Sequence, residues 1–296
     1  MSILSRLGLG TKVQTETVAE RLGYPADAKL VIIHADDVAM AHSVNMASFA
    51  ALDQKAVSSA SVMVPCPWVA EAAEYAKAHP DADLGVHLTL TSEWKTYRWG
   101  PVAPRDLVPS LLDPEGYFHP DVRSAATHIK PEEAELEIRA QIEHAIKMGI
   151  RPTHLDMHMM TLAATPQLYA TLAKVGHELH LPFLAVRGNG ESRKMMSSLS
   201  DQDIVFDSLV GLDLDMPPNQ WTDAYVKALG LLRPGLHYLI VHLGHDDAEL
   251  EAITLDHPVG GAWRQRDFNA VTSSEFKRAL ERNHIVVLGW RDLAKV

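Results

Sequence analysis

The 296-residue sequence predicts an α/β chain folded as a TIM-like (β/α) barrel, distorted and of seven or eight strands. Three observations carry that expectation. Short apolar runs of the kind buried on both faces of a sheet recur along the chain, and most are followed by a segment of helical period. Strict alternation of this sort implies a parallel sheet with right-handed crossovers. No glycine-rich phosphate loop follows the first apolar run, which removes the main support for a dinucleotide-binding open sheet.

Residues 1–27 read as a short helical extension, with helix-period spacing from Thr15 to Leu22, and 28–296 as a single barrel domain. Lys29–Ala35 is the first strand and 43–54 the first helix, with Ser43 as its N-cap. Ser59–Val64 is a strand, Pro67–His79 a helix and Leu84–Leu90 a strand. Thr91–Lys130, rich in Pro, Gly and aromatics, reads as a long loop serving as a lid or substrate wall. Pro131 then opens a helix that Gly149 stops. Strands are expected at Thr153–Met159, Pro182–Arg187, Ile204–Val210, Leu236–Leu243 and Ile285–Trp290, with helices at Pro166–His180, 218–230 and 272–282.

Composition narrows the partners. A 47% hydrophobic and 22% charged chain is globular, and its net charge of −11 argues against nucleic acid or an anionic membrane surface. No apolar run approaches the roughly 18–20 residues of a membrane span, and the first residues are too interrupted for a secretory signal. Cys66 is the only cysteine, so there is no internal disulfide, and a reducing cytoplasm is the expected compartment. The 16 histidines are the place to look for chemistry.

Catalytic groups of such barrels cluster at the C-terminal ends of strands. Four expected strand ends carry metal-type side chains: His34 with Asp36 and Asp37, then His87, then His154 with Asp156 and His158, then His242 with His245, Asp246 and Asp247. Mixed carboxylate and imidazole is the ligand chemistry of a catalytic divalent metal with an open water position. In an adjacent Asp pair, one residue can bind the ion and the other act as general base. A protonated histidine from another strand can serve the leaving group. Each piece alone has a plain structural explanation: an Asp pair is often a solvated turn, and a strand histidine often a satisfied core residue. His154, Asp156 and His158 alternate onto one face of an extended chain, and the coincidence of all four strand ends favours a metal-assisted hydrolase of an amide or ester.

These residues resemble the YdjC/ChbG-like carbohydrate deacetylases, a branch of the polysaccharide deacetylase group, from about Leu30 to Leu293. The resemblance rests on Asp36-Asp37 after an apolar strand, Gly85–Thr91, Pro152–His158, Leu239–Gly244 and Ser110–Phe118, in that family's pattern. It implies a metal-bearing barrel in which Asp37, His87 and His158 are the ligands, Asp36 is the general base and His242 the general acid. The implied reaction removes an N-acetyl group from an amino sugar or small oligosaccharide by attack of metal-activated water. Two positions depart from the pattern: Met160 stands where the family often has a second histidine, and Leu243 replaces the usual proline, with His245 added just beyond. Either His242 or His245 can then be the acid.

Trp94, Tyr97 and Trp99 form either a stacking wall for a sugar ring or a clamp that pins the loop, and Trp263 in the late loop has the same two readings. Arg187 is expected to bind a substrate carbonyl or orient a carboxylate, or else to form a rim salt bridge. Asp156 reads as a carboxylate that orients a ligand histidine. His34 lines the site or packs beneath it, and His154 and His245 are alternates. Zinc is favoured on ligand softness, with Mg²⁺, Mn²⁺ or Co²⁺ also compatible. The expected partner is a small acetylated sugar, and the 1–27 extension is a candidate contact for a neighbouring copy in a homo-oligomer. Two other functions fit the residues less well: a barrel metallohydrolase of another amide or ester, and a non-catalytic ligand-binding barrel.

Overall fold

The structure, a computed structural model, describes residues 16–188, 195–214, 216–255 and 257–294. Most of the expected 1–27 extension therefore lies outside the described residues; its described part holds helix α1 (Val18–Arg21), started by a reciprocal Thr17–Glu20 capping box.

The apolar run after Lys29 becomes β1 (Lys29–Val38), buried along nearly its whole length because it stands in the middle of a parallel sheet. β2 (Ser59–Val62), β3 (Leu84–Leu88) and β4 (Leu155–Met157) follow on one side, and β6 (Gly235–Val241) and β5 (Ser208–Val210) on the other, in the order β4-β3-β2-β1-β6-β5. β7 (Ile285–Val287) pairs with the first residues of β1, Lys29 to Val31, while β2 takes over on the same edge from His34 onward. Every pairing is parallel, as the strand–helix alternation predicts.

The sheet curls into a distorted (β/α) barrel with one thin wall. The strand expected at Pro182–Arg187 is reduced to single bridges, Leu155 with Phe183 and Val186 with Phe206. Pro182 has no N–H to give to a ladder, and only its carbonyl takes part, accepting from Leu155. The expected 204–210 strand shortens to β5, the three residues that pair with β6.

Helices α2 (His42–Asp53), α3 (Val69–Ala78), α5 (Pro131–Met148), α6 (Pro166–Leu179), α7 (Trp221–Leu231) and α10 (Ser274–Arg282) match expected helices, and Gly149 ends α5 at φ 99° as a left-handed cap. Ser43 is not the N-cap of α2. Ala41 is, without a side-chain bond, and Glu249 of α8 (Ala248–Ile253) instead accepts the free N–H groups of His42 and Ser43. The 91–130 loop contains α4 (Val122–His128) and is tied to α5 by carboxylates: Glu137 accepts from the N–H groups of Val102 and Ala103, and Glu133 from that of Ser110.

Trp263 lies in a helix, α9 (Ala262–Val271), and not in a loop. Its buried positions are Trp263, Arg264, Asp267, Ala270 and Val271, which is helical spacing. Two of them are charged, so an apolar-stripe reading passes over it. A short α11 (Trp290–Leu293) closes the chain and drives Trp290 into the barrel, where its indole stacks on His154 at 4.6 Å. Cys66 is buried and unpaired, and among the described residues no helix is long and apolar enough to cross a membrane.

Gly85 makes room for that stack, since a Cβ there would lie 2.5 Å from His154 Cε1 and Nε2. Gly85→Ala is therefore expected to cost about 1–3 kcal/mol through overpacking and to lower the melting temperature by several degrees. An unchanged melting temperature would contradict the close contact.

Candidate metal centre

Successive side chains of a strand point to opposite faces, so Asp36 and Asp37 cannot both face the barrel interior from a regular β1. The strand departs from regularity at this point. The β1–β2 register slips between Ala35 and Val38, and Asp37 takes φ 68°. That left-handed residue, costly for a side chain larger than glycine, turns both carboxylates inward.

Three other elements supply the facing groups. His87 comes from β3, His158 from the turn directly after β4, and His242 from the end of β6. His158 is followed by Met159 and Met160, both left-handed (φ 51° and 57°), so the chain turns sharply at the rim. His87 Nε2 lies 3.3 Å and His158 Nδ1 3.1 Å from Asp37 Oδ1, and the three residues can offer one ligand atom each within 4.8 Å of one another. The second ring nitrogen of each histidine is held by a carboxylate: His87 Nδ1 donates to Asp156 at 2.8 Å and His158 Nε2 to Glu93 at 3.0 Å. Such outer partners fix ring orientation and leave the inner nitrogen for a cation.

Two overlapping groups bring their ligand-type atoms equally close: Asp36 with His87 and Asp156, and His34 with His154 and Asp156. In both groups Asp156, and in the second also His34, is already engaged by protein partners. His34 is bonded through Nδ1 to Ser59 and through Nε2 to Ser61, and Asp156 accepts from Ser61 and Tyr238 besides His87. His34 thus packs beneath the cluster, and His154 lies deeper against Trp290.

Asp36 sits at the inner edge, with Oδ2 3.9 Å from His87 Nε2 and 3.8 Å from His242 Nε2. Its buried Oδ1 makes no hydrogen bond. Burial pushes the Asp36 carboxyl up to about 7 against the pull of His87. Burial also works to raise Asp37, but the Arg264 guanidinium and His158 outweigh it and hold that carboxyl well below its usual range. Burial opposes charge on both histidines as well, yet Asp156 and Asp36 lift His87 well above normal, and Glu93 and Asp37 lift His158 to about 9. For His242, burial and Arg264 overcome Asp37 and push the ring down to about 3.

The expected site residues separate into two groups. Asp36, Asp37, His87, His158 and His242 converge, with Asp156 behind His87. His245 turns away, to Gln265 at 3.3 Å and to the Phe268 ring, so His242 is the one of the two that reaches Asp36. Trp94 and Trp99 are 8% and 4% exposed, too covered to offer an open stacking face; Trp99 donates to Thr91 O and Tyr97 to Met40 O, bonds that pin the loop. Trp263 packs against His242 at 4.9 Å. Arg187 pairs with Asp207, which also accepts from Leu236 N at the start of β6, the end remote from His242. Its contacts are those of a salt bridge.

Sequence reasoning missed Glu93 and Arg264. Arg264 is buried, donates to Asp37 Oδ2 at 2.7 Å and lies over the Trp263 ring at 4.5 Å. Nothing in an isolated Trp-Arg-Gln-Arg run marks one arginine as internal. Glu93, only two residues beyond Thr91 at the mouth, carried a usable signal, a carboxylate just past a histidine-bearing strand. Removing one partner of a buried ion pair costs about 3–5 kcal/mol. Arg264→Leu is expected to destabilise the metal-free protein on that scale in denaturant titration at neutral pH. Because Asp37 titrates below its unfolded value, its share of stability is present above about pH 4 and fades as pH falls below that. The Arg264→Leu deficit should therefore shrink in acid, and a pH-independent deficit would contradict the pairing.

Comparison with known proteins agrees with this geometry. The profile of the family described as YdjC-like protein matches residues 30–282. A carbohydrate deacetylase of Thermus thermophilus is 31% identical over 98% of this chain and 97% of its own length. A chitooligosaccharide deacetylase of Yersinia enterocolitica is 29% identical over 57% of this chain and 64% of its own. The crystal structure of an Enterococcus faecalis protein, named for cellobiose-phosphate cleavage, superposes with a TM-score of 0.75 at 25% identity, covering 90% of this chain and 99% of that one. By the match along its length and by its fold, the chain belongs to the YdjC-like family.

Proposed function

We propose that the protein is a metal-dependent carbohydrate deacetylase that hydrolyses the N-acetyl amide of an amino sugar or small oligosaccharide. The observation that carries this reading is the convergence of Asp37, His87 and His158 beside a carboxylate, Asp36, that burial lifts to about 7. Two relatives named for deacetylation of carbohydrates support the substrate class.

The donor set fits a divalent cation, zinc being favoured by two imidazoles and one carboxylate, with Mg²⁺, Mn²⁺ or Co²⁺ as the other candidates. The buried Asp36 carboxylate, whose Oδ1 makes no hydrogen bond and stands 3.4 Å from His34 Nε2, and the inward-facing ring nitrogens are what such an ion would neutralise and engage. When bound, the ion supplies Lewis-acid polarisation and a more acidic water. The remaining work falls to the chain. Asp36, near 7, takes the proton of the attacking water. His242 Nε2 stands 3.8 Å from Asp36 Oδ2, a gap that one bridging water spans, so the proton taken by Asp36 can pass to His242 during turnover. His242 then protonates the leaving nitrogen as the C–N bond breaks, giving acetate and the free amine. Arg264 keeps one oxygen of Asp37 occupied, leaving Oδ1 turned to the histidines.

Metal analysis tests the ligands. Asp37→Ala, His87→Ala and His158→Ala should each fall well below the expected content of about one ion per chain; full occupancy in all three sinks the assignment. Asp36→Asn should keep the metal while losing about 10²–10⁴-fold in acetate release from diacetylchitobiose. A wild-type enzyme inert on acetylated sugars but active on simple amides or esters would replace the carbohydrate reading with the broader hydrolase one.

Proton release gives an independent check. Without metal, His158 titrates near 9 and His87 well above its normal range, so both hold protons at about pH 7.5. Ligation requires neutral imidazole. Zinc binding should release about two protons per chain and strengthen as pH rises toward 9, read by calorimetry in buffers of different ionisation enthalpy. A heat independent of buffer would contradict these roles.

A further inference from the structure

A cavity of about 300 Å³ opens beside His242, between the segment after β5, the end of β6 and helices α7 and α9. Its wall includes Leu209, Leu212, Leu214, Ile240, Trp221 and Trp263. Two of these look into the barrel mouth by register. Ile240 pairs with His34 and Leu209 with Tyr238, and the side chains of His34 and Tyr238 both reach Asp156 inside the barrel. Residues level with one another in paired parallel strands share a face.

Few side-chain polar groups line the wall, and of these Trp263 Nε1 is buried without a hydrogen-bond partner. The buried Asp267 carboxylate accepts from Trp221 Nε1, Tyr225 Oη and the backbone N–H of His242. A sugar ring placed here would strand its hydroxyls against leucine and isoleucine, each missing partner opposing binding. An aliphatic chain would not. The cavity is also far larger than one methyl group requires, and it borders the imidazole proposed to serve the scissile amide.

We propose that this cavity is an acyl subsite: it receives the aliphatic chain of N-acyl amino sugars longer than acetyl, so that the enzyme is an N-deacylase of short-chain amides. The inference rests on the deacetylase reading above. The step balances as for acetate: water adds across the amide, its hydroxyl going to the acyl carbon and its proton to nitrogen, and N-butyryl substrate yields butyrate and free amine.

The test compares N-acetyl-, N-propionyl- and N-butyryl-glucosamine disaccharides on the metal-loaded full chain. Burial of each added methylene favours binding by about fourfold, so kcat/KM should hold or rise from acetyl to butyryl. Leu209→Trp, at a position 38% exposed and hence tolerant of bulk, should shift the butyryl-to-acetyl ratio at least tenfold toward acetyl. Leu212→Phe should shift it in the same direction should the first variant misfold. Acetate release together with a butyryl rate more than tenfold lower in the wild type overturns the subsite and leaves the deacetylase reading standing. Should no amide be cleaved, the deacetylase reading falls, and calorimetric titration of Asp36→Asn protein with the same ligands decides the cavity: tighter butyryl binding supports it, and equal or weaker binding overturns it.

Discussion

Two neighbouring carboxylates can face one barrel interior only where their strand stops alternating, and the rest of the mouth is arranged around that break in β1. A left-handed aspartate costs on the order of 1–3 kcal/mol and persists only where its surroundings over-determine it. Here the surroundings are the buried Arg264 on one carboxylate oxygen and two imidazoles on the other. Arg264 in turn depends on the placement of α9. That helix is tied down by Asp267, which bonds two side chains of α7 and the backbone of His242 together. A single buried carboxylate thus couples the position of the arginine to that of the histidine.

Below the mouth lies a layer of satisfied polar groups in place of an apolar plug. Asp156 accepts from His87, Ser61 and Tyr238 and stands 3.0 Å from His34. Buried networks of this kind are stable only when nearly every member is partnered. The groups left short of partners sit at its two limits, Asp36 Oδ1 at the top and His154 Nε2 at the bottom. The upper one adjoins the proposed cation site. The lower one is compensated by stacking on Trp290, with burial and nearby His34 keeping the ring neutral.

How much of this could be read from the sequence follows from range. The strands, most helices and the strand-end histidines announce themselves through local period, because each buries its own face. The residues converging on Asp37 could be collected from four strand ends because barrels put those ends together. Arg264 could not be found in this way, whereas Glu93, just past a histidine-bearing strand, could have been. The importance of Arg264 lies wholly in a partner 227 residues away, and a charged residue inside an amphipathic helix looks the same in sequence whether its tip meets water or a buried carboxylate. The aromatic trio after β3 carries two readings in the sequence, a sugar platform or a clamp on the loop; the bonds of Trp99 and Tyr97 and the burial of Trp94 are those of the clamp. Ser43 misled for a related reason, since the cap of α2 comes from Glu249, more than two hundred residues on.

The barrel wall is uneven in a way that bears on how the family can diversify. From β6 through β1 to β4 the strands are joined by continuous ladders, and every residue converging on Asp37 stands on that arc or is braced against it. Across the remaining gap, from Leu155 to Phe206, two single bridges close the circle. The arc can therefore keep its chemistry constant while the seam, carrying little of the ladder, accepts changes in length and shape. The segment that follows the seam forms one wall of the cavity beside His242. In such a build the proposed cation site stands on the continuously paired side of the circle, and the cavity beside His242 is walled in part from the sparsely paired one.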